Sequence, residues 1–264
     1  MVHHYFATYG CGEAHAKIHA DNCSGQNKNN AMLQYLMWRV LTGLHQSIEL
    51  SFMVPGHTKF SPDRFFGLFK MKLRRSEVSS LSQLAQVMKD STKGGFNKPQ
   101  LVQENGKTNV FYYKWTDFLQ HHFKRTPGML SYNHFIFEKI SKGKMKLKAK
   151  CTNDANQIVE YDLLRKEFSD NSIPNFVDAV TSGELELLVP DEMTKERKWY
   201  LFEKIRPFVD EEFQNELCPR PSLHKPVITK TAASVKENPG KTKPTNPEAK
   251  RSFFDDESDD ELYM

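Results

Sequence analysis

Ala20-Asp-Asn-Cys-Ser-Gly-Gln-Asn-Lys-Asn-Asn30, read together with Pro55-Gly-His-Thr-Lys-Phe-Ser-Pro-Asp63, decides how this chain is organised. Each polar loop follows a short apolar-alternating run and precedes a helical pattern. Ala16 to Ala20 alternates as a strand that ends at Asp21, and Ser47 to Val54 sets Ile48, Leu50 and Phe52 on one face of a second strand. Between them Met32 to Leu41 is apolar on most faces, as a buried helix is, and Gly43 stops it. Pro62 suits the first turn of another helix, which runs to Leu73 with Phe66, Phe69 and Leu73 as its apolar stripe. A short helix over His3 to Tyr9 comes first. The order is therefore helix, strand, helix, strand, helix. Asp21 stands at the carboxyl end of a strand, where an α/β domain gathers its ligand-binding groups. His57 and Asp63 lie where the second strand hands over to a helix.

Further along, Ser80 with Gln83 has the capping-box pattern and opens a helix to Lys89. Val110 to Tyr113 reads as a strand and Trp115 to Phe123 as a helix. Tyr132 to Glu138 and Lys144 to Cys151 read as strands joined around Ser141-Lys-Gly143. Short helices are expected over Asp162 to Phe168 and Asn175 to Thr181, then a longer stretch from Lys198 to Asn215 interrupted at Pro207. From Pro219 the chain turns Pro-, Lys- and Thr-rich and ends in the acidic block Asp255-Asp-Glu-Ser-Asp-Asp-Glu261. Three parts follow from this: an α/β part over 1–95, a smaller α+β region over 96–221, and a disordered acidic tail over 222–264.

Composition narrows the class. The net charge is +4 over 264 residues, the isoelectric point is near 8.7, and the mean hydropathy of −0.64 is on the polar side. No apolar run reaches the ~18 residues of a membrane span, and no secretory signal opens the chain. An intracellular protein, nuclear or cytoplasmic, is expected. Cys11, Cys23, Cys151 and Cys218 are scattered, which favours free thiols over a disulfide framework. Cys11, His15 and Cys23 lack the paired spacing of a zinc site. No P-loop, dinucleotide fingerprint or nucleophile elbow is present.

The run Asp21 to Asn30, with Gly56-His-Thr-Lys-Phe-Ser-Pro-Asp63 and Phe65-Phe-Gly67, resembles a family of uncharacterised eukaryotic proteins. That family is similar to transposase-derived, RNase H-like integrase domains with a DDE/DDD-type metal site. The two blocks cover Ala20 to Lys70, and weaker similarity reaches Pro221. The resemblance implies the carboxyl-terminal half of an RNase H-like domain. It places catalytic acids on the first strand, at the end of the fourth, and at the last helix; Asp21 matches the second position and Asp63 the third, with His57 as a partner. The leading meander and its aspartate have no counterpart here, since only a short helix precedes Ala16 and Glu13 falls in a loop. An amino-terminally truncated copy with weak or absent catalysis is the expectation.

In the implied chemistry Asp21 and Asp63 hold Mg²⁺ (or Mn²⁺), in a one- or two-ion site with ions about 4 Å apart. His57 orients a phosphate or water, or ligates the softer ion. Asp21 can equally close a turn or cap the next helix, and Asp63 can complement a helix dipole. The amides of Gln26 to Asn30 fix the Asp21 loop or touch a phosphate backbone, or else Asn29 or Asn30 simply caps the next helix. Basic residues supply the nucleic-acid reading: Lys28 beside the loop, the cluster Lys70, Lys72, Arg74 and Arg75, and the alternating Lys144, Lys146 and Lys148, at about 6.6 Å spacing on one strand face. Lysines on such a strand can also protect a sheet edge. Tyr112, Tyr113, Trp115 and Phe118 either stack bases or pack a core. Two functions remain open: metal-dependent phosphodiester chemistry on DNA, or non-enzymatic nucleic-acid binding.

Overall fold

The computed structural model describes residues 1–53, 61–140, 144–150, 158–169, 172–222 and 224. Five helices and strands open the chain in the order read from sequence: α1 (Val2–Thr8), β1 (His15–Ala20), α2 (Asn30–Leu41), β2 (Ser47–Phe52) and α3 (Ser61–Leu73). They are followed by α4 (Leu81–Lys89), a hairpin of β3 (Gln103–Glu104) and β4 (Lys107–Thr108), and α5 (Trp115–His122). Then come β5 (His134–Ile140), β6 (Lys144–Lys150), β7 (Val159–Tyr161), α6 (Phe176–Thr181), α7 (Lys195–Tyr200) and α8 (Glu211–Leu217). The protein is mixed α/β. No helix among the described residues is long and apolar enough to cross a membrane.

Five strands form one mixed sheet in the order β1-β2-β5-β6-β7. β1 and β2 are parallel, with α2 as the crossover; β5, β6 and β7 continue as an antiparallel meander. The boundary expected at residue 95 therefore does not divide the sheet, because β2 pairs with β5 along Ser47–Ser51. Met1–Leu223 form one compact unit. The expected tail lies outside the described residues, apart from Ser222 and His224.

Alternation fixes which face is inside. Ile48, Leu50 and Phe52 on β2 and Phe135 and Phe137 on β5 are buried, while Ser47, Glu49, Ser51, His134, Ile136 and Glu138 occupy the other face. α2 covers the apolar face; every residue from Leu33 to Leu41 is buried. An aromatic cluster joins α2 to α5 and α6. Trp38 packs against Tyr35, Trp115 and Phe118 with centroids at 5.8, 5.1 and 6.4 Å, and His3 lies 4.6 Å from Phe176 and 4.9 Å from Trp115. Trp115, Tyr113 and Phe118 are thus spent on packing.

Some expectations are corrected. Val110–Tyr113 is not a strand: Val110 is buried and bonds back to Val102, and Tyr113 makes a single bridge to Leu187. Asp162–Phe168 is not a helix, because Leu163 accepts the Lys124 amide and Leu164 bridges to Phe123. On α3 the inward side is Phe65, Leu68, Phe69 and Leu73, whereas Phe66 is exposed. β6 is not the last strand of the sheet, since β7 pairs with it over Leu147–Ala149, so Lys148 does not guard an edge.

His3 makes acid stability testable. Burial first, then the Arg39 guanidinium, holds its pKa down to about 4 from 6.5. His45 and His122 are lowered too, with burial the leading cause. A depressed pKa means that the unfolded chain binds the proton more readily, so the contribution is complete above 6.5 and is lost as pH falls towards 4. Urea midpoints should fall steadily across that window, and His3→Phe should make the fall shallower. An unchanged profile in the variant would remove His3 from the account.

Candidate functional site

Asp21 follows the last residue of β1, beside the parallel strand β2. The Cys23 carbonyl accepts the amides of Gln26, Asn27 and Lys28 at 3.2, 2.9 and 2.9 Å, which curls the loop back on itself. The curl brings Asn27 to Asp21: its Nδ2 donates to Asp21 Oδ1 at 2.6 Å, and the Cys23 amide donates to the same oxygen at 3.4 Å. Asp21 Oδ2 has no partner among the described residues, and the side chain is half-buried. One oxygen is thus fixed by two N–H donors. The turn-closing and ligand readings of Asp21 thus fit one side chain at once.

The rest of the loop serves α2. Asn29 is its N-cap, accepting the Met32 amide at 2.9 Å, and Asn30 Oδ1 accepts the Thr126 amide at 2.8 Å. Lys28 needs correction as a nucleic-acid contact. It is only 2% exposed, its Nζ donates to the Leu130 carbonyl at 3.0 Å and to Asn133 Oδ1 at 3.3 Å, and it lies 5.4 Å from the Phe52 ring. Burial lowers its pKa. This cation binds the Asp21 loop to the residues entering β5. Sequence reasoning missed Asn133 and Leu130 because they lie more than a hundred positions away.

Asp63 is exposed in the first turn of α3. His57 lies outside the described residues. Among the described residues no three His, Cys, Asp or Glu side chains converge as a metal cluster, Cys11, His15 and Cys23 included. Cys11, Cys23 and Cys218 are free thiols. Lys70, Lys72, Arg74 and Arg75 are exposed around the end of α3, Lys70 lying 4.8 Å over the Phe66 ring. Lys148 pairs with Glu138 across β5 and β6. The side chains of Lys144 and Lys146 lie outside the described residues. Mg²⁺ takes oxygen ligands and keeps several waters, so the open Asp21 oxygen fits as one ligand of such an ion.

The chain is thus a mixed α/β protein whose parallel β-α-β unit carries a carboxylate just after its first strand. The chain belongs to the family described as Domain of unknown function (DUF7869), which matches residues 14–155, more than half of its length. No curated protein and no solved structure matches it.

Proposed function

We propose that this chain carries a metal-dependent phosphodiester site of RNase H-like, transposase- or integrase-derived type, acting on DNA. The observation that carries the reading is Asp21: a carboxylate just after a strand in a parallel pair, one oxygen locked by Asn27 and the other without a partner among the described residues. Asp21 and Asp63 would hold Mg²⁺ or Mn²⁺, and the bound ion would activate water and stabilise the leaving oxygen. Asn27 keeps the carboxylate aimed, and Lys28 keeps the loop on the sheet.

The test is a calorimetric titration of the whole chain with Mg²⁺ and with Mn²⁺, beside Asp21→Asn. Saturable binding that the variant loses, with unchanged circular dichroism, is the expected result. A folded wild-type chain that binds neither ion would reduce Asp21 to a turn residue. The exposed Lys70, Lys72, Arg74 and Arg75 favour a second reading, a non-enzymatic nucleic-acid-binding module. In that case DNA affinity falls with salt, Asp21→Asn leaves it unchanged, and no cleavage is seen with either ion.

A further inference from the structure

β1 stands at the end of the strand order and, among the described residues, pairs on one side only, with β2. Along its other side runs a groove of about 1010 Å³, walled by α1 and by Lys98–Gln100. Five consecutive strand residues, His15 to His19, line it. Side chains alternate between the two faces of a strand, so five in a row line one groove when the backbone edge is its floor. An unpaired edge of this kind is a template for another strand. The apolar face beside it is unfinished as well: Ala16, Ile18 and Ala20 are half-buried, while their β2 neighbours Ile48, Leu50 and Phe52 are at most 3% exposed. On the opposite wall, Tyr5 of α1 and Tyr9, just past its end, are 58% and 56% exposed.

We propose that the open edge of β1 accepts an added β-strand from a partner protein, an extended segment with apolar residues at alternate positions and carboxylates between them. Its apolar side chains would cover Ala16 and Ile18 and meet Phe6 and Tyr9. Its carboxylates would face His15, Lys17 and His19, which line the polar side of β1 and are exposed. Lys17 already reaches Glu49 at 3.3 Å, yet its side chain keeps 71% exposure and has room for a second acid. Lys98 adds a second positive charge to the lining, where Glu13, which accepts the Cys11 amide, is the one carboxylate among the described residues. Opposite charges on neighbouring strands stabilise a pair and like charges oppose it. That rule disfavours a second copy of β1 paired in register about its centre, which would set Lys17 against Lys17. The inference is independent of the metal reading.

The probe is a capped, fluorescein-labelled eight-residue peptide of alternating valine and glutamate, followed by anisotropy with the whole chain. A valine–lysine peptide is its control. The glutamate peptide is expected to bind saturably, about tenfold more tightly than the control, and Lys17→Glu should shrink or reverse that preference. N-methylation of one alternate set of peptide amides should abolish binding and of the other set should spare it, because one set alone faces β1. Amide exchange at His15–Ala20 should slow on binding. Equal binding of both peptides, indifference to N-methylation, or protection elsewhere than β1 would overturn the proposal. So would a dimer in sedimentation whose β1 amides are protected without peptide, since the edge would then be occupied by a second copy.

Discussion

Replacing Trp38 with alanine should destabilise the protein by about 4 kcal/mol, within the range for truncating a buried aromatic. Trp38 is fully buried at the middle of α2, packed on the rings of Tyr35, Trp115 and Phe118. Its Nε1 donates to the Pro174 carbonyl at 3.0 Å, so it also ties α2 to the chain entering α6. Alanine loses the contact area, opens a cavity and leaves that carbonyl unpaired. Trp38→Phe separates the effects: the ring remains, the bond is lost, and about 1–2 kcal/mol is expected. Natural domains keep about 5–15 kcal/mol in hand, so the alanine variant should show a large drop in urea midpoint. A loss no larger than that of a surface change such as Lys89→Ala would mean that α2 is not the hub of the core.

The opening half of the fold is legible because its signals are local. The period-2 run at Ile48, Leu50 and Phe52 predicts β2, and the Ser80–Gln83 capping box forms as its sequence pattern indicates, with Ser80 Oγ accepting the Gln83 amide at 3.2 Å. Apolar content all round α2 correctly marks a buried helix. The second half fails where partners lie far away. Asp162–Phe168 has helical composition, but pairing with Phe123 and Lys124 claims its backbone. β7 is three residues long, too short for any period to show. The β3–β4 hairpin did carry a signal: Asn105 and Gly106 both adopt positive φ, at 50° and 76°, as a two-residue turn demands.

The site divides the same way. Asp21 is legible from its place after a strand, and Asn27 from being an amide one loop-turn away. Lys28 is not, because a lysine in a polar loop reads as solvated. Its burial depends on Leu130 and Asn133, and on Phe52 of β2, none of which is near it in sequence. Nor does local pattern show that the lysine-rich strand β6 has a neighbour on each side.

Lys28 is where the second large effect is expected. Lys28→Ala should cost about 3 kcal/mol, since it removes a fully buried stem and leaves two oxygens, those of Leu130 and Asn133, without their donor. Lys28→Met keeps most of the stem and deletes a cation whose burial is itself costly, as its lowered pKa shows. Its expected loss is smaller, about 1 kcal/mol. Equal losses in the two variants would mean that the donated bonds, not the packed stem, set the stability. The methionine variant then serves the functional question, because it stays folded. Lys28 is the last residue of the curl that holds Asp21, and under the proposed metal reading, losing an anchor behind the ligand weakens binding about tenfold or more. Calorimetry should therefore show weakened Mn²⁺ binding in Lys28→Met at full secondary structure. Unchanged affinity would show that the Cys23 turn and Asn27 hold the carboxylate on their own, and that Lys28 serves the fold alone.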